Sequence, residues 1–173
     1  MQQLSQQIRD AFAGVTYPGD WCLRGSNEGT EPFLLEREFK GKDNWQTLDP
    51  SFIDRAPDGF ATALSFFSDE ALRFYLPAYL IADLAGDLKQ TDVVFYLTHG
   101  LDSASRNERV NPQRYGERTW FDAVSHRFSV FDKKQAAVIA AYLIAKRESD
   151  ALLDFERCRI DEALHHYWLP RAA

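Results

Sequence analysis

The sequence predicts an all-α protein, a single-domain helical bundle with two buried central helices and peripheral amphipathic helices. Segment 68–88 is apolar on nearly every side, and the segment that follows Asp132 runs apolar through Ala145, which is typical of helices inside a core. Helix-capping residues precede both segments. With 173 residues, of which 45% are hydrophobic and 14% aromatic, the chain can bury such a core without disulfides or metals.

The N-terminal part is predicted to contain three short helices. Apolar residues recur at helical spacing between Leu4 and Phe12 and predict an amphipathic helix. Thr30 is a suitable N-cap for a second helix that extends through Phe39. A turn followed by a short helix is expected around residues 51–55. These helices would surround the first central helix.

That first central helix occupies residues 68–88 and contains a proline in its middle. Ser68 is its expected N-cap, and Asp69 and Glu70 complement the positive end of the helix dipole. The residue before a proline is biased away from the helical region. Pro77 therefore predicts either a kink or the start of a second helix. Because apolar residues flank it, we interpret the segment as a core element.

The C-terminal part begins with a segment whose periodicity does not decide its structure. Residues 92–100 fit a short buried strand or a helix, and their flanks favour the helix. Residues 101–118 are polar and predict one long loop, followed by a short helix over residues 120–128. Asp132 and Gln135 form a capping-box pattern at the start of the second central helix.

A last amphipathic helix is predicted from the apolar residues between Leu152 and Tyr167. Within it, Glu162 and His165 have the Glu-x-x-His spacing of di-iron bundles, but the sequence contains no second such pair. We therefore expect no metal site. His165 and His166 are interpreted as polar groups that cap the end of this helix.

Charge and hydropathy narrow the classes of partner. The net charge is −6, and residues 1–100 carry 8 Lys/Arg against 15 Asp/Glu. This acidity disfavours nucleic acid and favours a basic protein partner, although it also suits a soluble protein with no such partner. The longest apolar run, 136–145, is too short to cross a membrane, and the N-terminus lacks a signal-peptide pattern. We expect a cytoplasmic protein.

No catalytic or cofactor-binding pattern is found. Cys22 and Cys158 are not in a metal-binding or redox motif, and there is neither a Gly-x-Ser-x-Gly nucleophile motif nor a glycine-rich phosphate loop. We therefore predict no catalytic residue, no cofactor and no metal ligand.

The remaining candidates are residues that would bind a partner or ligand. They lie on the first central helix and in the polar loop: Arg73, Asp83, Arg106, Arg109, Arg114 and Tyr115. Arginine beside aromatic residues suits a specific contact, although a solvated loop is the simpler interpretation. In a second hypothesis, a pocket beside Pro77 is lined by Arg73, Tyr75, Tyr79 and Asp83, with His99 as an acid or base.

The run Glu-Ala-Leu-Arg-Phe-Tyr-Leu-Pro-Ala-Tyr at residues 70–79 resembles the hallmark of a bacterial family catalogued only as a domain of unknown function. Trp45–Leu48 and Gln135–Leu143 resemble the elements that flank this helix in that family. The resemblance covers about two thirds of the chain. It implies a small bacterial cytoplasmic protein and supplies no catalytic residue.

These observations favour a non-enzymatic protein-binding module. We expect an immunity-type inhibitor that neutralises a bacterial toxin by direct binding, with a basic toxin domain as the partner. The alternative is a small enzyme or ligand-binding domain with a pocket near the Pro77 kink. A structural subunit or scaffold is a third option.

Overall fold

The computed structural model describes residues 2–149 and 152–173. Within these ranges the regular secondary structure is helical, apart from two isolated β-bridges, Arg24 with Phe67 and Arg109 with Thr119. The all-α prediction is confirmed. Contacts between Cα atoms group the chain into two compact units, Met1–Val93 and Val94–Ala173. The two units are called here the N-terminal and the C-terminal unit. That the chain is one domain stays a prediction.

Over its described residues, 2–93, the N-terminal unit is built from five helices and two 3₁₀ turns, Asp20–Cys22 and Trp45–Thr47. The helices are α1 (Gln2–Phe12), α2 (Glu31–Phe39), α3 (Pro50–Arg55), α4 (Ala63–Phe66) and α5 (Asp69–Ala85). The predicted starts of α2, α3 and α5 agree with these bounds to within one residue. Helices α1 and α3 and the turn Trp45–Thr47 all pack against α5, which is therefore the centre of this unit.

Helix α5 is continuous through its proline, so Pro77 does not open a second helix. The Ser68 hydroxyl accepts a hydrogen bond from the Ala71 N–H at 3.0 Å, as expected of an N-cap. The helix ends at Ala85 because Gly86 adopts a left-handed conformation with φ of 79°. This end lies earlier than the predicted residue 88.

Three fully buried aromatic rings hold the N-terminal unit together. Phe39 packs edge-to-face against Phe67 and Tyr75, with ring centroids 4.8 Å and 4.9 Å apart, and Phe67 stacks on Tyr75 at 5.0 Å. Contacts of this kind stabilise a core by more than the area that they bury. The cluster joins α2, the end of α4 and α5.

A buried carboxylate fixes α3 to the segment that follows α5. Asp54 is 5% exposed and accepts hydrogen bonds at 2.8–2.9 Å from three consecutive backbone N–H groups, those of Lys89, Gln90 and Thr91. Burial would raise the pKa of Asp54, but these three donors hold that pKa below its ordinary value. The carboxylate is therefore charged, and it sets the position of α3.

In the part of the C-terminal unit that the structure describes, most of α6 and five further helices are found. Their bounds are α6 (Val93–Thr98), α7 (Pro112–Tyr115), α8 (Trp120–Phe128), α9 (Lys133–Arg147), α10 (Asp154–Ala163) and α11 (Leu169–Ala172). The segment 92–100 is thus helical, and the strand alternative is wrong. The predicted loop 101–118 contains a 3₁₀ turn, Ala104–Arg106, in addition to α7.

The core of the C-terminal unit surrounds Trp168. This residue is fully buried, donates from Nε1 to the carbonyl oxygen of Leu97 at 2.9 Å, and lies 5.0 Å from the ring of Phe128. The predicted capping box at the start of α9 is confirmed, since Asp132 and Gln135 each accept a backbone N–H of the other. Helix α9 is buried along one side.

The end of the chain differs from the predicted amphipathic helix. Helix α10 begins at Asp154 and leads into a π-helical turn, Leu164–Trp168, and then into α11. His165 and His166 therefore lie inside a longer helical segment and do not cap its end. Phe155, expected on the buried face, is 59% exposed.

Candidate functional site

A polar concave surface of the N-terminal unit lies around Phe52. Two concavities of about 440 Å³ and 360 Å³ share this ring, and we call them together the Phe52 groove. The first is lined by Gly41, Lys42, Asp43, Asn44, Thr47, Leu48, Asp49 and Phe52. The second is lined by Glu38, Ser51, Phe52, Arg55, Ala56, Asp58 and Gly59.

Hydrogen bonds from the core hold one wall of the groove. The Asp20 carboxylate accepts the Gly41 N–H at 2.8 Å and the Tyr17 hydroxyl at 2.5 Å. The hydroxyl of the buried Tyr75 donates to the carbonyl oxygen of Lys42 at 2.8 Å. Because these bonds tie the segment that follows α2 to Asp20 and to α5, the groove has a fixed edge.

Four carboxyl side chains line the groove. Asp43, Asp49 and Asp58 are exposed, and Glu38 is half-buried. Asp49 caps α3: the side chain and the backbone N–H of Ser51 both bind its carboxylate and lower its pKa. Glu38 accepts the backbone N–H of Asp58 at 2.9 Å. Acidic side chains thus line both concavities.

The floor of the groove accommodates a cation. Phe52 is half-buried against Phe39, with ring centroids 5.0 Å apart, and the Lys42 ammonium lies 4.6 Å from the centroid of the Phe52 ring. An aromatic face attracts a cationic group by its quadrupole, and nearby carboxylates add to this attraction. The arrangement is chemically suited to the lysine or arginine side chains of a partner.

The predicted site residues on α5 do not line this groove. Arg73 and Asp83 are half-buried and engaged within the protein. They are ten residues apart on one helix, a rise of about 15 Å. Tyr75 and Tyr79 are fully buried, and burial raises the pKa of both hydroxyl groups. These two tyrosines belong to the core.

The predicted site residues of segment 101–118 lie in the C-terminal unit and are all exposed. The Arg106 guanidinium stacks on Phe121, 3.9 Å from the ring centroid. Arg109 forms an ion pair with Glu117, and Arg114 lies 5.3 Å from the ring centroid of Tyr115. Each arginine thus has a contact within the protein. Whether any of them binds a partner stays a prediction.

A serine, a glutamate and a histidine meet in the C-terminal unit. The Ser103 hydroxyl is 3.0 Å from Oε1 of Glu162 and 3.0 Å from Nε2 of His166. A serine hydroxyl has one proton, so the carboxylate competes with the imidazole for it instead of orienting the imidazole as in a catalytic triad. We assign the cluster to anchoring Ser103 on the C-terminal helical segment.

Four side chains from or next to three helices form an exposed stack that we call the aromatic ladder. Phe95 of α6 and His99, which directly follows α6, stack at 4.8 Å. His99 lies 6.1 Å from Trp120, and the Arg159 guanidinium lies 5.3 Å from Phe95. Phe95 and Trp120 are 43% and 38% exposed. Because these groups contact each other, the ladder joins α6, α8 and α10.

Sequence reasoning missed the residues of the Phe52 groove. The available signal was the excess of acidic residues in the first 100 positions, but it did not indicate which of them lie together. Glu38 and Asp58 are twenty positions apart and become neighbours only in the fold.

Two further findings concern the described residues alone. In ranges 2–149 and 152–173, no three His, Cys, Asp or Glu side chains are arranged to hold a metal ion. In the same part of the chain, no helix is both long and apolar enough to cross a membrane.

The fold and the groove define an all-α protein with an acidic concave surface. Comparison with protein families shows to which family the chain belongs. A family model described as "Family of unknown function (DUF6714)" matches residues 1–172, so the chain belongs to this family. The expected membership in a family of unknown function is thereby confirmed. Neither the curated proteins nor the solved structures contain a match to the chain.

Proposed function

We propose that the protein is a non-enzymatic, cytoplasmic binding module of bacteria that neutralises a toxin by direct contact. In this proposal the Phe52 groove receives lysine or arginine side chains of a basic toxin domain. The observation that carries the proposal is the combination of one aromatic ring with four lining carboxyl groups. A cationic side chain gains there both from the ring and from the carboxylates.

The charge of the N-terminal unit supports the same partner. Its residues 1–93 include 15 Asp/Glu and 8 Lys/Arg, so its field attracts a basic protein before contact. Such steering raises the rate of association and weakens with salt. Lys42 already occupies the face of Phe52, so a partner cation would displace it or bind beside it.

The test uses the protein encoded by the neighbouring gene, expressed in cells with and without this chain. Wild-type protein is expected to restore growth when the neighbouring protein is toxic. The triple variant Asp43→Asn, Asp49→Asn and Asp58→Asn is expected to fail, because it removes three groove charges. Asparagine keeps the capping oxygen of residue 49 and tolerates the positive φ of residue 58, so folding is preserved.

The matched control removes three exposed acidic charges outside the groove, with Asp10→Asn, Glu28→Gln and Asp92→Asn. This control is expected to protect cells as well as the wild type does. Equal protection by both triple variants would contradict a role for the groove. A neighbouring protein that is neither toxic nor bound would contradict the proposed function as a whole.

A further inference from the structure

A second cavity of the N-terminal unit has a different character from the Phe52 groove. It has a volume of about 270 Å³ and lies among α5, α3, the turn Trp45–Thr47 and the last part of α1. Pockets for drug-sized ligands have volumes from about 300 Å³ upward, so this one fits a smaller molecule, of amino-acid size. All of its lining residues belong to one unit.

Small side chains on α5 create the space. Ala78, Ala82 and Ala85 line the cavity, and their spacing of four and three residues places them on one face of the helix. Larger apolar residues at these positions would fill the volume. This face begins directly after Pro77, but neither Pro77 nor the tyrosines proposed from the sequence line the cavity.

The wall opposite the alanines is apolar. It includes Trp45 and Ile53, which are 6% and 1% exposed, together with Leu48. Ile81 of α5 completes this apolar lining. An aliphatic or aromatic side chain placed here would leave water for a largely preformed surface, which favours binding.

One cation and one anion also line the cavity. Arg9 stands in the last turn of α1, and Asp87 lies just beyond the end of α5. Within the described residues no hydrogen bond or ion pair engages the Arg9 side chain, which leaves its five N–H donors for a ligand. Guanidinium groups bind carboxylates through paired hydrogen bonds, and Asp87 suits an ammonium group.

We propose that this cavity binds a free hydrophobic α-amino acid. The ligand's carboxylate would pair with Arg9, its ammonium group with Asp87, and its side chain would contact Trp45 and Ile53. A simple fatty acid fits less well, because Asp87 repels its only charge. This inference does not depend on the proposed toxin partner, and its test uses the purified chain alone.

The test titrates the protein with L-leucine, followed by calorimetry and by the NMR signal of the Trp45 indole N–H. A saturable 1:1 response is expected. L-Leucinamide lacks the carboxylate and 4-methylpentanoate lacks the ammonium group, so each is expected to bind about tenfold more weakly. Equal binding of 4-methylpentanoate would overturn the assignment of Asp87.

Two variants, each with a matched control, test the location. Ala85 is exposed yet lines the cavity, so Ala85→Leu is expected to fold and to abolish leucine binding. The exposed Ala137 of α9 does not line the cavity, and Ala137→Leu is expected to bind as the wild type does. Arg9→Gln is expected to weaken binding about tenfold, while Arg37→Gln, in the last turn of α2, leaves it unchanged.

Absence of any response to leucine at millimolar concentration would overturn the proposal. Binding that survives Ala85→Leu would overturn it as well, because the ligand would then lie elsewhere. Neither result would affect the toxin assay, in which the groove triple variant is the decisive comparison. Conversely, leucine binding by a chain that protects no cell would leave this inference intact.

Discussion

The two compact units use charge in opposite ways. The N-terminal unit has 15 Asp/Glu and 8 Lys/Arg, and acidic side chains collect along the Phe52 groove. The C-terminal unit has 11 Asp/Glu and 12 Lys/Arg, and at least six of its arginines contact an aromatic ring or a carboxylate of the same unit. Surface charge that is not compensated by opposite charge can steer the approach of a charged partner, whereas compensated charge does not. We therefore assign the electrostatic recognition proposed above to the N-terminal unit.

Each unit contains both buried and exposed aromatic residues. In the N-terminal unit, Phe39, Phe67 and Tyr75 form a sealed core cluster. In the C-terminal unit, Phe95 and Trp120 form part of the exposed aromatic ladder. Substitutions in each unit can therefore distinguish residues that stabilise the unit from residues that are exposed at its surface.

The largest effect is expected from the buried tryptophan of the C-terminal unit. Trp168→Ala should lower the free energy of unfolding by about 4 kcal/mol, because it leaves a cavity and breaks the hydrogen bond to Leu97. Urea titration followed by circular dichroism measures the change. Trp21 of the N-terminal unit is 86% exposed, and Trp21→Ala should change stability by less than about 0.5 kcal/mol. Similar losses in both variants would contradict the assigned burial.

Asp54 is expected to be the most costly acidic residue to remove from the N-terminal unit. Asp54→Ala leaves three backbone donors without their carboxylate and should lower stability by about 4 kcal/mol. Asp54→Asn keeps one acceptor oxygen and should cost about 2 kcal/mol. Asp43→Asn, in the exposed groove, is the control and should leave the stability nearly unchanged. A neutral Asp54→Ala would show that these hydrogen bonds do not anchor α3.

The same carboxylate predicts a dependence of stability on pH. The backbone donors lower the pKa of Asp54 in the folded state. Its contribution is therefore present above the ordinary aspartate pKa of about 3.9 and is lost as the pH falls through the lower folded value. The difference in stability between wild type and Asp54→Asn should be full at pH 7 and shrink at pH 3. A difference that grows in acid would contradict the direction of the shift.

A smaller effect distinguishes two helix starts, one in each unit. Thr119 accepts the Asp122 N–H at the start of α8 within a capping box, whereas Thr30 makes no such side-chain bond at the start of α2. Thr119→Ala should therefore lower the free energy of unfolding by about 1 kcal/mol, and Thr30→Ala should lower it by only a few tenths of a kcal/mol. Thermal unfolding of the two variants measures the contrast, and its absence would count against the capping box.

The sequence predicts most helices because their signals are local. Ser68, Asp132 and Gln135 are capping residues whose partners lie within three positions, so their pattern is visible in one dimension. The end of the chain was not predicted as well. The π-helical turn at Leu164–Trp168 buries Trp168 against Phe128, and this packing has no local sequence signature.

Of the candidate site, only its acidic charge could be predicted from the sequence. Acidity of the first hundred residues predicted a basic partner, but the groove requires Glu38, Asp43 and Asp58 to converge on Phe52. That convergence depends on Tyr75, which holds the groove edge from 33 positions away. The loop arginines singled out from the sequence, Arg106, Arg109 and Arg114, were conspicuous because they cluster along the chain, and the structure gives each of them a contact within the protein.

The central claim is that the acidic groove of the N-terminal unit binds a basic protein. Calorimetric titration of the purified chain with the protein encoded by the neighbouring gene, at low and at high salt, tests it most directly. The claim predicts a 1:1 complex that weakens with salt and is lost in the Asp43→Asn, Asp49→Asn, Asp58→Asn variant, but not in the control triple variant. A complex insensitive both to salt and to the groove substitutions would contradict it.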